Sequence, residues 1–100
     1  MYERKDLEKE LKEIQSYLKN LQKLVKDILD GNIDFNTSHV GTQLAISQRL
    51  CEKALRRLNE IIKKASKQDY KDIVTKAVTL STIFSSYYGW ISIALEQLTH

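Results

Sequence analysis

The chain contains no proline, and its only glycines are Gly31, Gly41 and Gly89. β-Turns draw heavily on both residue types, whereas long helices need neither. This supply predicts an all-α fold. One hundred residues is the length of a single domain, here taken as 1–100. Apolar residues make up 42% and charged residues 29%, so the chain can bury a core and does not read as disordered.

Hydrophobic spacing divides the chain into three helices, at about 2–29, 38–66 and 69–98. In the first, Leu7, Leu11, Ile14, Leu18, Leu21, Val25 and Ile28 recur in alternating steps of four and three. Arg4–Glu8, Glu8–Lys12 and Lys9–Glu13 stand at i,i+4 spacing on the other faces. Asp30-Gly31-Asn32 supplies a stop, with Gly31 free to turn left-handed. Ile33 and Phe35 are expected to cover the bundle end, and Asn36, Thr37 or Ser38 to cap the second helix.

The second seam is Val40, Leu44, Ser47, Cys51, Ala54, Leu58, Ile61 and Ala65. Half of these are small, so another helix can approach closely there. No Gly or Pro separates Ile62 from Asp72, which leaves one continuous helix to be considered. At 100° per residue, however, the stripes before and after this stretch differ in direction by roughly 140°. A turn near Ser66–Asp69 brings both onto one core, with Ser66 and Asp69 expected to form a variant capping box. The predicted fold is an up-down-up three-helix bundle of slender shape, completed by self-association.

The third helix carries two apolar faces. Its main stripe is Tyr70, Val74, Ala77, Ser81, Phe84, Tyr88, Ile91, Leu95 and Leu98, supported by Ile73, Leu80 and Tyr87. On the opposite side Thr79, Ile83, Ser86, Trp90, Ile93 and Gln97 follow a second heptad. From Ala77 to Leu95 there are nineteen residues without a charge. Charge depletion and Trp mark interface centres, so Ile83, Ser86, Trp90, Ile93 and Gln97 form the candidate protein interface, for a second copy or a larger protein. Ser81, Ser85 and Gly89 would allow a neighbouring backbone to come near. A membrane span would be just long enough, but six Ser or Thr, a central Gly and a strong helical moment disfavour it.

The net charge of +3 is unevenly spread, with +5 concentrated in residues 49–76. Arg49, Lys53, Arg56, Lys63 and Lys67 fall on one line of the second helix, flanked by Arg57 and Lys64 and interrupted by Glu60. Such a row can follow a phosphate backbone without reading sequence. That makes a small nucleic-acid-associated subunit the alternative to a protein-interaction module. The row includes no aromatic residue for stacking, and an acidic protein surface would suit it equally.

Catalytic and cofactor chemistry finds little support. His39, His100 and Cys51 are too few and too scattered for a zinc site. His39 and Cys51, if on one helix, lie about 18 Å apart. No Gly-rich phosphate loop, H-E-x-x-H or G-x-S-x-G occurs. The expectation is a non-enzyme without cofactor or small-molecule substrate. A single cysteine and a charged N-terminus suggest a cytoplasmic setting.

Overall fold

The computed structural model describes residues 4–31 and 38–98, which form three helices. Helix α1 spans Arg4–Leu29, α2 spans Ser38–Lys67 and α3 spans Lys71–Leu98. Cross-helix pairs set their directions. Gln48 meets Ser92 and Glu52 meets Tyr88, so α2 and α3 run antiparallel. Arg57 meets Glu10 and Glu13, while Arg4 meets Asp72. Helix α1 is therefore antiparallel to α2 and parallel to α3, giving the expected up-down-up bundle. Its extents are 47 × 22 × 17 Å, a short rod. The proposed cap residues Asn36 and Thr37, together with Ile33, Phe35 and His100, lie outside the described residues.

The first two seams are buried as their spacing predicts. Leu7, Leu11, Ile14, Leu18 and Leu21 of α1 meet Val40, Leu44, Cys51, Ala54, Leu58, Ile61 and Ala65 of α2. Val25, Ile28 and Ser47 are half-buried. In α3 the buried line is Ile73, Ala77, Leu80, Phe84, Ile91 and Ala94. That line is rotated from the expected stripe, because Tyr70, Val74, Ser81, Tyr88, Leu95 and Leu98 are only half-buried. The rotation turns α3 partly toward α1. Helices α2 and α3 also pack far more closely on each other than either does on α1. Cys51, Ala54, Ala65, Ala77 and Ala94 have little side chain to hold backbones apart, whereas α1 contributes Leu and Ile throughout.

The α2–α3 turn exists, but its chemistry differs from a capping box. Helix α2 runs on to Lys67, and Asp69 takes a left-handed φ of 59°. Tyr70 N–H donates to the Ala65 carbonyl at 2.9 Å and Asp69 N–H to the Ser66 carbonyl at 3.2 Å. These two bonds make a Schellman ending, with Asp69 where glycine is usual. Ser66 and Asp69 thus close α2 rather than open α3. The Tyr70 carbonyl instead starts α3, accepting Val74 N–H at 3.1 Å. Asp72 sits in the first turn, where a carboxylate complements the helix dipole. At the end of α1, Gly31 takes φ 77° and donates to the Ile28 carbonyl at 3.2 Å, as its position predicts.

Because Asp69 bears the strain that a Cβ meets in the left-handed region, Asp69→Gly should stabilise the bundle by about 1 kcal/mol. Thermal melts followed by circular dichroism check this. A lower midpoint would show that the Asp69 side chain contributes more than its backbone costs.

Polar contacts fix how α1 lies on the α2–α3 pair. Arg57, only 23% exposed, donates to Glu10 Oε1 at 3.2 Å and Glu13 Oε1 at 3.1 Å. The Tyr17 hydroxyl donates to Glu13 at 3.0 Å and accepts from Arg57 at 3.3 Å. At the other end Arg4 grips both oxygens of Asp72, pairs with Glu8 and lies over the Tyr70 ring, 5.5 Å from its centre. Of the three expected pairs along α1, only Arg4–Glu8 forms an ion pair among the described residues.

The hydrogen bond from Arg57, reinforced by that from Tyr17, holds the Glu13 carboxyl below its ordinary pKa of 4.5. A carboxylate with a depressed folded pKa stabilises the fold above its unfolded pKa and loses that contribution as pH falls through the folded one. Native protein should therefore lose stability below about pH 4.5 more steeply than Glu13→Gln. The Gln variant should melt slightly lower at pH 7, with the gap closing on acidification. A constant gap from pH 7 to pH 3 would contradict the Arg57–Glu13 assignment.

Candidate protein interface

The outer side of α3 is built from residues that would ordinarily be wet. Thr75, Val78, Thr79, Thr82, Ser85, Ser86 and Ile93 are exposed there, and Gly89 is half-buried. Val78 and Ile93 stand out at 47% and 60% exposure, because most apolar side chains of this helix are better covered. Between Lys76 and Glu96 no charged residue interrupts the face.

Four hydroxyls on this side are already satisfied. Thr75 donates to the Lys71 carbonyl and Thr79 to the Thr75 carbonyl, each at 2.9 Å. Thr82 donates to the Val78 carbonyl and Ser86 to the Thr82 carbonyl, each at 3.1 Å. A hydroxyl proton bonded to its own helix loses little when water leaves, whereas an unmade bond carries the full desolvation penalty. At these four positions the face is polar by composition, yet inexpensive to dehydrate.

The residues of the second heptad divide between two environments. Ser86, Ile93 and Gln97 are exposed. Ile83 and Trp90 are half-buried and packed against the core. Ile83 lines a groove between α1 and α3, together with Leu11, Leu18, Ile73 and Leu80. The face expected to have no cover is thus covered on one flank, because α3 is rotated toward α1. Val78 and Thr82, outside the second heptad, belong to its open part. The signal for Val78 is its fifteen-residue interval to Ile93, a little over four turns, which leaves the two side chains about 60° apart around the helix.

The cations of α2 also divide. Arg49, Lys53, Arg56, Lys63 and Lys67 are exposed along one line. Lys63 approaches Glu60 at 3.7 Å. Arg57 instead points to Glu10, Glu13 and Tyr17, and those bonds raise its pKa further. It holds the bundle together and is withdrawn from the outward row. Lys64 is half-buried.

Burial, with the Glu52 charge second, pushes the Cys51 thiol up to about 11, so it stays protonated near neutrality. His39 is exposed and its Nε2 lies 3.1 Å from Gln43 Nε2. Among the described residues no cluster of His, Cys, Asp or Glu could hold a metal ion, and no helix is long and apolar enough to cross a membrane.

No protein-family model matches the chain, and no curated protein or solved structure matches it either.

Proposed function

We propose that the protein is a non-catalytic interaction module that assembles with a second copy or a larger protein through the outer side of α3. The observation that supports this reading is the exposed, uncharged surface from Val78 to Ile93, where the Thr79, Thr82 and Ser86 hydroxyls are bonded within the helix. Burial of exposed apolar area supplies the driving force, at ~25 cal/mol per Å² before association costs. Ser86, Ile93 and Gln97 make direct contact, and the exposed edge of Trp90 flanks them.

Ile93 is the better probe, because Trp90 also packs on the core and its replacement would disturb the fold. Ile93→Asp should weaken assembly by tenfold or more, the loss of about 1.4 kcal/mol typical of a contributing interface side chain. Light scattering after size exclusion reads the assembly, and circular dichroism should show unchanged helicity. Unaltered assembly in the folded variant would defeat the proposal.

A second reading is supported by the outward row Arg49, Lys53, Arg56, Lys63 and Lys67. Arg49, Lys53, Arg56 and Lys67 have no ion pair among the described residues, and the row spans about 27 Å along the helix. It suits the backbone of a nucleic acid, bound without sequence preference. Polarisation with duplex and single-stranded probes should then show affinity falling steeply with salt. Arg56→Ala with Lys53→Ala should flatten that slope by about two units for duplex DNA. Absence of binding at low salt would remove this reading while leaving the α3 interface untouched.

A further inference from the structure

We infer that the occupant of the α3 face is a second copy of this chain, laid antiparallel across a two-fold axis between Ser85 and Ser86. This inference rests on the reading of α3 as an assembly face, and adds the partner and its register.

The face matches itself at its centre and in character at its two ends. Counting outward from the midpoint, Ser85 answers Ser86, Thr82 answers Gly89, and exposed Val78 answers exposed Ile93. An isologous interface requires this kind of self-complementarity, in which residue i meets j and j meets i. In the antiparallel arrangement each Val78 packs against the partner subunit's Ile93, at both ends of the contact. A parallel pair would set Val78 beside Val78 and bring the two Gly89 positions together, leaving both copies of Glu96 side by side.

Charge at the two ends points the same way. Lys71 and Lys76 lie at the N-terminal end of the uncharged stretch, and Glu96 at its C-terminal end. Antiparallel pairing sets Glu96 opposite Thr75 of the partner subunit, one helical turn from the partner's Lys71. Asp72 is held by Arg4 and does not compete for that lysine. The helix dipoles also oppose each other favourably.

Gly89 provides the closest approach. A Cβ built there meets nothing within 4 Å in the protomer. Thr82, its counterpart across the axis, has its hydroxyl bonded within its own helix. A Cβ at position 89 therefore meets no atom of the isolated protomer, and a longer side chain there would stand in the way of a neighbour.

Two experiments on the full chain test the pairing. Gly89→Leu should weaken the dimer at least tenfold in sedimentation equilibrium, with helicity and melting temperature of the protomer preserved or raised. Undiminished dimerisation would overturn the inference. Separately, Val78→Cys and Ile93→Cys chains are mixed and oxidised, with buried Cys51 left in place. The mixed disulfide should dominate, because the two Val78 positions lie about 22 Å apart along an antiparallel pair. A dominant Val78–Val78 cross-link would overturn the antiparallel register while leaving α3 as an assembly face. If no cross-link forms and the mass remains that of one chain, the second copy is excluded as the occupant. Ile93→Asp then decides separately whether the face serves another protein.

Discussion

The close approach of α2 and α3 is the contact on which the rest of the molecule depends. Among the core residues of these two helices, Cys51, Ala54, Ala65, Ala77 and Ala94 are small, and each is fully or almost fully buried. Small side chains let two helices approach closely, and each added close contact contributes dispersion energy. The price is a thin core that two helices cannot close alone. Helix α1 completes it with Leu7, Leu11, Ile14, Leu18 and Leu21, standing farther off because its side chains are large. Among the described residues, Phe84 is the one aromatic side chain fully buried in this core.

This arrangement explains both the ion pairs and the open face. Leucine seams alone would hold α1 with little preference for axial position. Arg57 on α2 and Asp72 on α3 set that position, by gripping Glu10, Glu13 and Arg4. Exposed pairs contribute little stability, so their effect lies mainly in register. With α2 against one side of α3 and α1 against a second, the third side is left outward. A rod 47 Å long and 17 Å thick has few ways to cover it internally.

Much of this was legible in the spacing of apolar residues. The heptads of α1 and α2 named nearly every buried position, because one apolar stripe on an otherwise charged helix leaves no ambiguity of direction. The phase reversal after Ile62 located the second turn for the same reason. Its mechanism was not legible, since Asp69 in a left-handed conformation answers to the backbone bonds of Tyr70 and Asp69 rather than to a sequence signature. Helix α3 was harder. Apolar residues surround most of it, so periodicity could not say which side α1 would take, and Ile83 and Trp90 proved to be half-buried. Arg57 was read with the outward cations because its partners, Glu10 and Glu13, are more than forty residues away. Long-range polar pairing leaves no periodic trace. The open part of the α3 face, with Val78 and Thr82, emerged only once the rotation of the helix was known.

The protein is thus a three-helix rod whose most distinctive surface is neither charged nor fully apolar. Between exposed Val78 and Ile93 it carries the Thr82 and Ser86 hydroxyls, each bonded within its own helix. Those bonded hydroxyls can shed water at small cost, and the proposed occupant is a second copy of the chain. Sedimentation equilibrium of the unmodified chain over a wide concentration range is the most direct test. The account predicts a mass that climbs from the 11.6 kDa of one chain toward twice that value. A mass that stays at 11.6 kDa at the highest concentrations would contradict self-association through α3.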